Sequence, residues 1–448
     1  MSRRSAILAS LALFAIIFVV YSLSPVTTSY DSRVSLHTAM SLAYGEGGDL
    51  TNYMRVMPGG TYVLEYPDSR PRNRYPIGPS LLAVPAVAIA SWIQPDFAKQ
   101  LREGRTDRFE EILASIVGAA AAVTFFWLIY ERFQNIWIAA SSTIIFAFCT
   151  SMWSTATRAL WQHTPLVLML IIAMLLLQRG RDRPALIQFV GLPLAFAFLS
   201  RPTAIVPIVG ISLYILVFYI RWFIRYLCWA ALIAIPWIAY NYSIYGGPFP
   251  TYYLTGLGST GTIRLGAGEF SMWESILGNL VSPSRGLLVY SPVLILSISG
   301  FLLAIRHEQE RALYVAYGLI VSLMFLVIVC APIWWAGHSF GPRFTTDLVP
   351  FLAFFTSFNF VYFGKLGART RMAAITGAFL LAGGSFFMHA QGALRVAPLA
   401  WNFSPNNIDE NPSRAWDWRD PQFARGIRAY LRAHGCPHPV IELIMDCP

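Results

Sequence analysis

The sequence predicts an all-α polytopic membrane protein, and three observations carry that prediction. Of the 448 residues, 56% are hydrophobic and only 12% charged, about half the charged share of an ordinary soluble domain. Apolar segments of roughly 20 residues recur along the chain, each about long enough to span a bilayer. Basic residues collect in the turns after every second segment, the asymmetry that orients helices during insertion. That clustering accounts for the net charge of +10 and removes nucleic acid from the expected partners.

The first segment, about 5–24, follows Arg3 and Arg4. It is long for a signal-peptide core and lacks a convincing small-residue cleavage site, so it reads as an uncleaved span. Ten more follow at about 109–130, 136–152, 164–178, 184–200, 203–220, 224–241, 287–305, 312–331, 347–363 and 372–389. Between the first two lies "YPIGPSLLAVPAVAIASWIQP" (75–95). Its apolar run from Pro79 to Pro95 is short for a span, and Pro85 interrupts it further.

Charge decides how that stretch is read. If it does not cross, the turns "SRR", "ERFQN", "RGRDR", "IRWFIR", "RHEQER" and "GKLGARTR" fall on one side. The short opposite loops 151–163, 200–203 and 332–346 carry one arginine each. If it did cross, the bias would reverse. The expectation is therefore about eleven spans, with the N-terminus inside a plasma or inner membrane and the C-terminus outside. A long first outer loop (25–108) holds juxtamembrane and re-entrant helices. The domains are a membrane unit over 1–390 and a small extracytoplasmic tail over 391–448.

The polar residues then share the outer side. Asp31, in "SYDSRVSLHTAMSL", suits either an N-cap for the following helix or a general base at the mouth of an apolar cavity. Val34, Leu36, Ala39, Met40, Leu42 and Ala43 after it are spaced for a helix lying on the membrane. Arg70, Arg72 and Arg74 crowd the start of the 75–95 stretch and suit headgroup anchoring or an anionic phosphate. Arg158, Trp161, Gln162 and His163 stand in "RALWQHTP". Arg201 stands alone in "LSRPT", either snorkelling or paired in a polar cavity. Arg285 lies in "SPSRGLLVYSP", and Trp334, Trp335, His338, Arg343 and Asp347 in "WWAGHSFGPRFTTDLVP". Paired tryptophans suit a membrane-interface belt, but His, Arg and Asp beside two rings also suit a sugar and a phosphate.

Other classes find little support. The five cysteines lack metal-ligand spacing. Cys149, Cys228 and Cys330 read as small core residues, and Cys436 and Cys447 suit a disulfide if the tail is outside. There is no phosphate-binding glycine loop, no HExxH and no Ser-His-Asp pattern. Acidic residues are few within the spans, which counts against an ion-coupled transporter. An amphipathic helix is expected over about 421–434, and "NFS" at 402–404 fits a glycosylation acceptor.

On Asp31, "YPIGPSLLAVPA", "RALWQHTP", "SPSRGLLVYSP" and "WWAGHSFGPRFTTDLVPFL", the chain resembles the GT-C membrane glycosyltransferases that use polyprenyl-phosphate sugars. That group includes protein O-mannosyltransferases and bacterial aminoarabinose transferases. The resemblance covers about residues 5–390. It implies a GT-C-like fold and transfer of a sugar, with inversion, from a polyprenyl-phosphate donor to a hydroxyl of a glycan, lipid or protein acceptor. Asp31 would be the general base. Arg343, Arg201, Arg285, Arg158 and Arg74 would bind the donor phosphate, and His163, His338, Trp335 and Tyr75 the sugar or acceptor. A second acidic residue is left open among Glu46, Asp49, Glu65 and Asp68. No metal or other cofactor is expected, and membrane lipids are the remaining partners. The alternatives are a ligase or polymerase of lipid-linked glycans, a flippase, and a non-catalytic glycan-assembly protein.

Overall fold

The computed structural model describes residues 3–28, 31–56, 63–104, 107–254, 271–307 and 310–434. Cys436 and Cys447 lie outside the described residues; Cys149 is buried and Cys330 half-buried, whereas Cys228 is exposed and not a core residue as expected. The first helix is α1 (Arg3–Leu23), and the loop after it holds α2 (Ser35–Ala43), α3 (Gly78–Ile93) and α4 (Phe97–Arg102). Then come α5 (Asp107–Phe133), α6 (Ile136–Phe148), α7 (His163–Gly180), α8 (Gly191–Ser200), α9 (Ile205–Phe218) and α10 (Ile220–Tyr245). The second half holds α11 (Thr251–Leu254), α12 (Met272–Val281), α13 (Leu287–Tyr290), α14 (Leu296–His307), α15 (Arg311–Val329), α16 (Val349–Phe363) and α17 (Ala368–Leu394). The tail carries α18 (Ala397–Ala400) and α19 (Ala424–His434). Among the described residues the only strands are β1 (Leu64–Glu65) and β2 (Arg72–Asn73), paired antiparallel with Leu64 opposite Asn73.

Among the described residues seven helices are long and apolar enough to cross a membrane: α1, α5, α7, α10, α15, α17, and α16 with the turn before it. Four further expected spans correspond to shorter apolar helices, around α6, α8, α9 and α14. The last three are each lengthened by a proline-led 3₁₀ turn, at Pro184–Val190, Pro202–Ala204 and Pro292–Ile295. Proline is tolerated there because the first N–H groups of a helix have no partner to lose.

Side-chain pairs show which helix ends meet. At one end Arg179 pairs with Glu131 at 2.6 Å, Arg132 with Glu310 at 3.7 Å, and Arg181 also reaches Glu310. These join the ends of α5 and α7 to the start of α15. At the opposite end Arg158 bonds the carbonyls of Tyr21 and Ser24, His163 meets Asp347, and Arg343 meets Asp31. The core between them is aromatic and aliphatic, with Phe125, Phe126, Leu170, Ile171, Phe351 and Phe354 fully or almost fully buried. Gly300 lets α14 lie directly on α16: a Cβ there would sit 1.9 Å from the Phe355 carbonyl oxygen. Small residues permit such close helix packing.

The 75–95 stretch has both ends at the Asp31 side. Gly78, at the start of α3, touches Ser200 at the end of α8. Past its far end, Phe97 stacks edge-on with Phe109 at 4.8 Å, at the beginning of α5. With 16 residues α3 is also short of the roughly 20 a span needs.

The first loop has its own core of Val34, Leu36, Ala39, Met40, Tyr53, Ala83, Val87 and Leu101, resting on Leu113 and Leu160. This corrects the expectation that the run after Asp31 lies on the membrane. Ser35 to Ser41 are all buried, because α3 and α4 cover the helix on faces that amphipathic spacing would leave to lipid.

Candidate active site

Asp31 is not the cap of α2. The residue at that position is Val34, which makes no side-chain capping bond. The Asp31 carboxylate is instead paired with the Arg343 guanidinium. The two side chains are 19% and 11% exposed, so the pair lies at a rim rather than in bulk water. The Arg343 guanidinium stacks 4.0 Å over the Trp161 ring, a contact worth about 0.5–2 kcal/mol. Trp161 is held in turn by its indole N–H donating to Thr28 at 3.0 Å. Among the described residues the buried Nε of Arg343 has no hydrogen-bond partner.

Tyr75 completes this group. Burial, and then the negative charge of Asp31, push its phenol well above the ordinary range. Its ring meets Tyr252 at 5.5 Å, and Gln162 donates to the Tyr252 hydroxyl at 3.4 Å. The position of Tyr75 depends on Gly78, where a Cβ would lie 2.3 Å from Ser200 Oγ and 2.6 Å from its Cα. The adjoining cavity, lined by Arg72, Tyr75, Tyr240 and Tyr245, measures about 20 Å³, room for about one water.

Directly beneath lies a second knot. Asp347 accepts from His163 Nδ1 at 2.6 Å, from Thr203 Oγ1 at 3.0 Å, and pairs with Arg201 Nε at 2.7 Å. All four side chains are buried. Arg201 and the other nitrogen of His163 are 3.4 Å apart. The sequence supplied these residues separately; their convergence on Asp347 was missed, as was Thr203.

Arg158 and Arg285 have other work. Arg158 donates to the carbonyls of Trp153 at 3.0 Å, Ser24 at 3.2 Å and Tyr21 at 2.7 Å, and to Thr157. It straps the loop after α6 to the end of α1. All five N–H groups of Arg285 are used, on Trp335, Ser284, Gly337, Gln422 and Asn402. The expected place of these two arginines at a donor phosphate is taken by oxygens of the chain itself. Burial lowers both to about 10, so they stay cationic at neutral pH.

Trp335 and His338 face the tail rather than Asp31. The Trp335 indole donates to Asp409 at 2.7 Å, and His338 meets Asn407 at 2.8 Å and stacks on Phe403 at 4.4 Å. The tail also fixes the loop that carries Arg343: Gln422 donates to Ser339 at 2.8 Å and accepts from Gly341 N–H at 3.0 Å. Nothing in the sequence marked Gln422. Asn402, of the "NFS" pattern, is 1% exposed and bonded to Arg285, which withdraws it as a surface glycosylation acceptor.

The first-loop charges separate cleanly. Arg70 pairs with Asp49 at 3.3 Å, and Arg72 with Asp68 at 2.5 Å and the Gly47 carbonyl at 2.6 Å. Arg74 makes no side-chain hydrogen bond among the described residues, and its charge reaches Glu65. Of the four acids left open, Glu46 bonds Asn52 at 3.2 Å, whereas Glu65 is tucked against Tyr245 and Thr251. His389, another buried residue the sequence did not single out, bridges Ser154 at 2.7 Å and Ser291 at 2.8 Å. Among the described residues no group of three or more His, Cys, Asp or Glu is placed to hold a metal. Compared with family models, curated proteins and solved structures, the chain matches none.

Proposed function

We propose that the chain is a membrane glycosyltransferase moving a sugar from a polyprenyl-phosphate donor to an acceptor hydroxyl at the Asp31 end of the bundle. The observation that supports this best is the Asp31–Arg343 pair, set among Tyr75 and Trp161, with the Arg343 Nε unpartnered. In this reading Asp31 takes the proton of the hydroxyl. The hydroxyl oxygen bonds to the anomeric carbon while the bond from that carbon to the phosphate oxygen breaks. The electron pair leaves with the lipid phosphate, and the configuration inverts. A phosphate is a good leaving group, so the main demand is a cation where its charge builds up.

Arg343 meets that demand and explains the pair. An arriving phosphate and Asp31 compete for the same planar fork, which suits either oxyanion. The phosphate draws Arg343 away and frees the carboxylate lone pairs for the hydroxyl. Asp347, His163 and Arg201 form the fixed floor beneath. The eleven apolar segments would all span, with the basic turns cytoplasmic, and α3 would wall the lipid groove without crossing.

The test is turnover by the purified full chain on a panel of polyprenyl-phosphate sugars, with a membrane extract supplying acceptors. Release of free polyprenyl phosphate from one sugar class is the expected result. No release from any donor, with release from a lipid-diphosphate oligosaccharide instead, would replace this reading with a glycan ligase.

A further inference from the structure

A second pocket lies at the opposite end of the bundle from Asp31. It measures about 830 Å³ and is formed where the turn between α9 and α10 meets the turn at 183–185. Arg183, Arg221 and Arg225 line it, together with Tyr219 and Trp222, and among the described residues no carboxylate does. These arginines differ from their neighbours. In the adjoining cavity Arg132 and Arg181 are paired with Glu310, and beside it Arg179 is paired with Glu131. Arg183, Arg221 and Arg225 make no ion pair among the described residues.

Three like charges around one hollow repel each other, and an anion relieves that repulsion. The start of α10, a 26-residue helix, also borders the hollow, and its first N–H groups favour negative charge. Arg225 is oriented by stacking 5.0 Å over Trp222. Beside the charges the surface is apolar: Phe218, Ile220, Ile224 and Leu227 are all exposed. A free phosphate has no use for such a surface, whereas acyl chains do. Aromatic residues at the junction of charge and hydrocarbon are what a membrane interface selects.

We infer that this pocket binds the phosphate of an anionic phospholipid, with the headgroup among Arg183, Arg221 and Arg225 and the chains along α9 and α10. The assignment is independent of the transferase reading.

Native mass spectrometry of the full chain, purified in micelles holding equal phosphatidylglycerol and phosphatidylcholine, tests it. Wild type is expected to retain phosphatidylglycerol preferentially. R183Q/R221Q/R225Q is expected to lower the ratio of the two bound lipids at least about tenfold. K365Q/R369Q/R371Q, which removes as much charge from another basic turn, is expected to leave the ratio within about twofold. R183K/R221K/R225K retaining more phosphatidylglycerol than R183Q/R221Q/R225Q supports the site even if the latter is less stable. An unchanged ratio in the glutamine triple overturns the proposal, as does an equal loss in the control. If millimolar inorganic phosphate strips phosphatidylglycerol from wild type, the site takes free anion and the lipid assignment falls.

Discussion

Arg343, 312 residues after Asp31, pairs with its carboxylate while lying 4.0 Å over the Trp161 ring. Three distant segments thus meet at one guanidinium: the exit from α1, the approach to α7 and the loop before α16. Lysine at position 343 would keep the charge but lose both the fork and the flat stacking face. R343K is expected to lower the rate of donor cleavage by about 10²-fold or more, the size of losing one aimed donor. Single-turnover release of polyprenyl phosphate measures it. Unchanged release would leave Arg343 as a structural cation.

The buried knot around Asp347 is expected to act on stability first. Asp347→Asn leaves Arg201 as a buried cation without its counter-charge, and such changes cost about 3–5 kcal/mol. Thermal unfolding in detergent should fall accordingly. A variant as stable as wild type would show that Arg201 finds other partners.

Arg285 is expected to hold the tail and not the donor. Arg285→Leu strands the carbonyls of Trp335, Ser284 and Gly337 and the side chains of Asn402 and Gln422, at about 3 kcal/mol or more. Limited proteolysis should cut within 397–434 at least about tenfold faster, with donor KM unchanged. A raised KM with the tail still protected would return Arg285 to the phosphate.

These residues show what the sequence disclosed and what it hid. The row of apolar helices was legible because composition leaves a bilayer as the only solvent for them. Charge alone argues that the 75–95 stretch does not cross, and both ends of α3 lie at the end of the bundle where Asp31 sits. A lone arginine in "LSRPT" called for a carboxylate, yet the choice of Asp347 needed the fold. Arg158 and Arg285 read like Arg343, because a sequence does not distinguish an arginine aimed at carbonyl oxygens from one at a rim. His389 carried no signal at all: a buried histidine between two serines looks like any core position. The short helices α6, α8, α9 and α14 are the least legible part, since their length alone decides neither for nor against a span.

Glu65 gives a pH-dependent test of the first loop. Burial raises its carboxyl above the ordinary range, against hydrogen bonds from Tyr245 and Thr251 and the charge of Arg74. A raised acid binds its proton more tightly in the folded chain than in the unfolded one. Its contribution is therefore most favourable below the ordinary glutamate range, is lost as pH rises through the folded pKa, and is level above it. Glu65→Gln removes the ionisation. The variant is expected to melt above wild type near pH 8, with the gap closing towards about pH 4. A gap that ignores pH would mean that the Glu65 carboxyl titrates alike in the folded and the unfolded chain.

The most direct measurement is single-turnover chemistry and donor binding by Asp31→Asn beside wild type, on the donor that wild type cleaves. The central claim is that Asp31 is the base and that Arg343 is shared between it and the phosphate. The variant should lose at least about a hundredfold in rate while binding donor as tightly as wild type or more so, since Arg343 no longer has a carboxylate to leave. Full activity in the variant, or binding lost in step with rate, would contradict the claim.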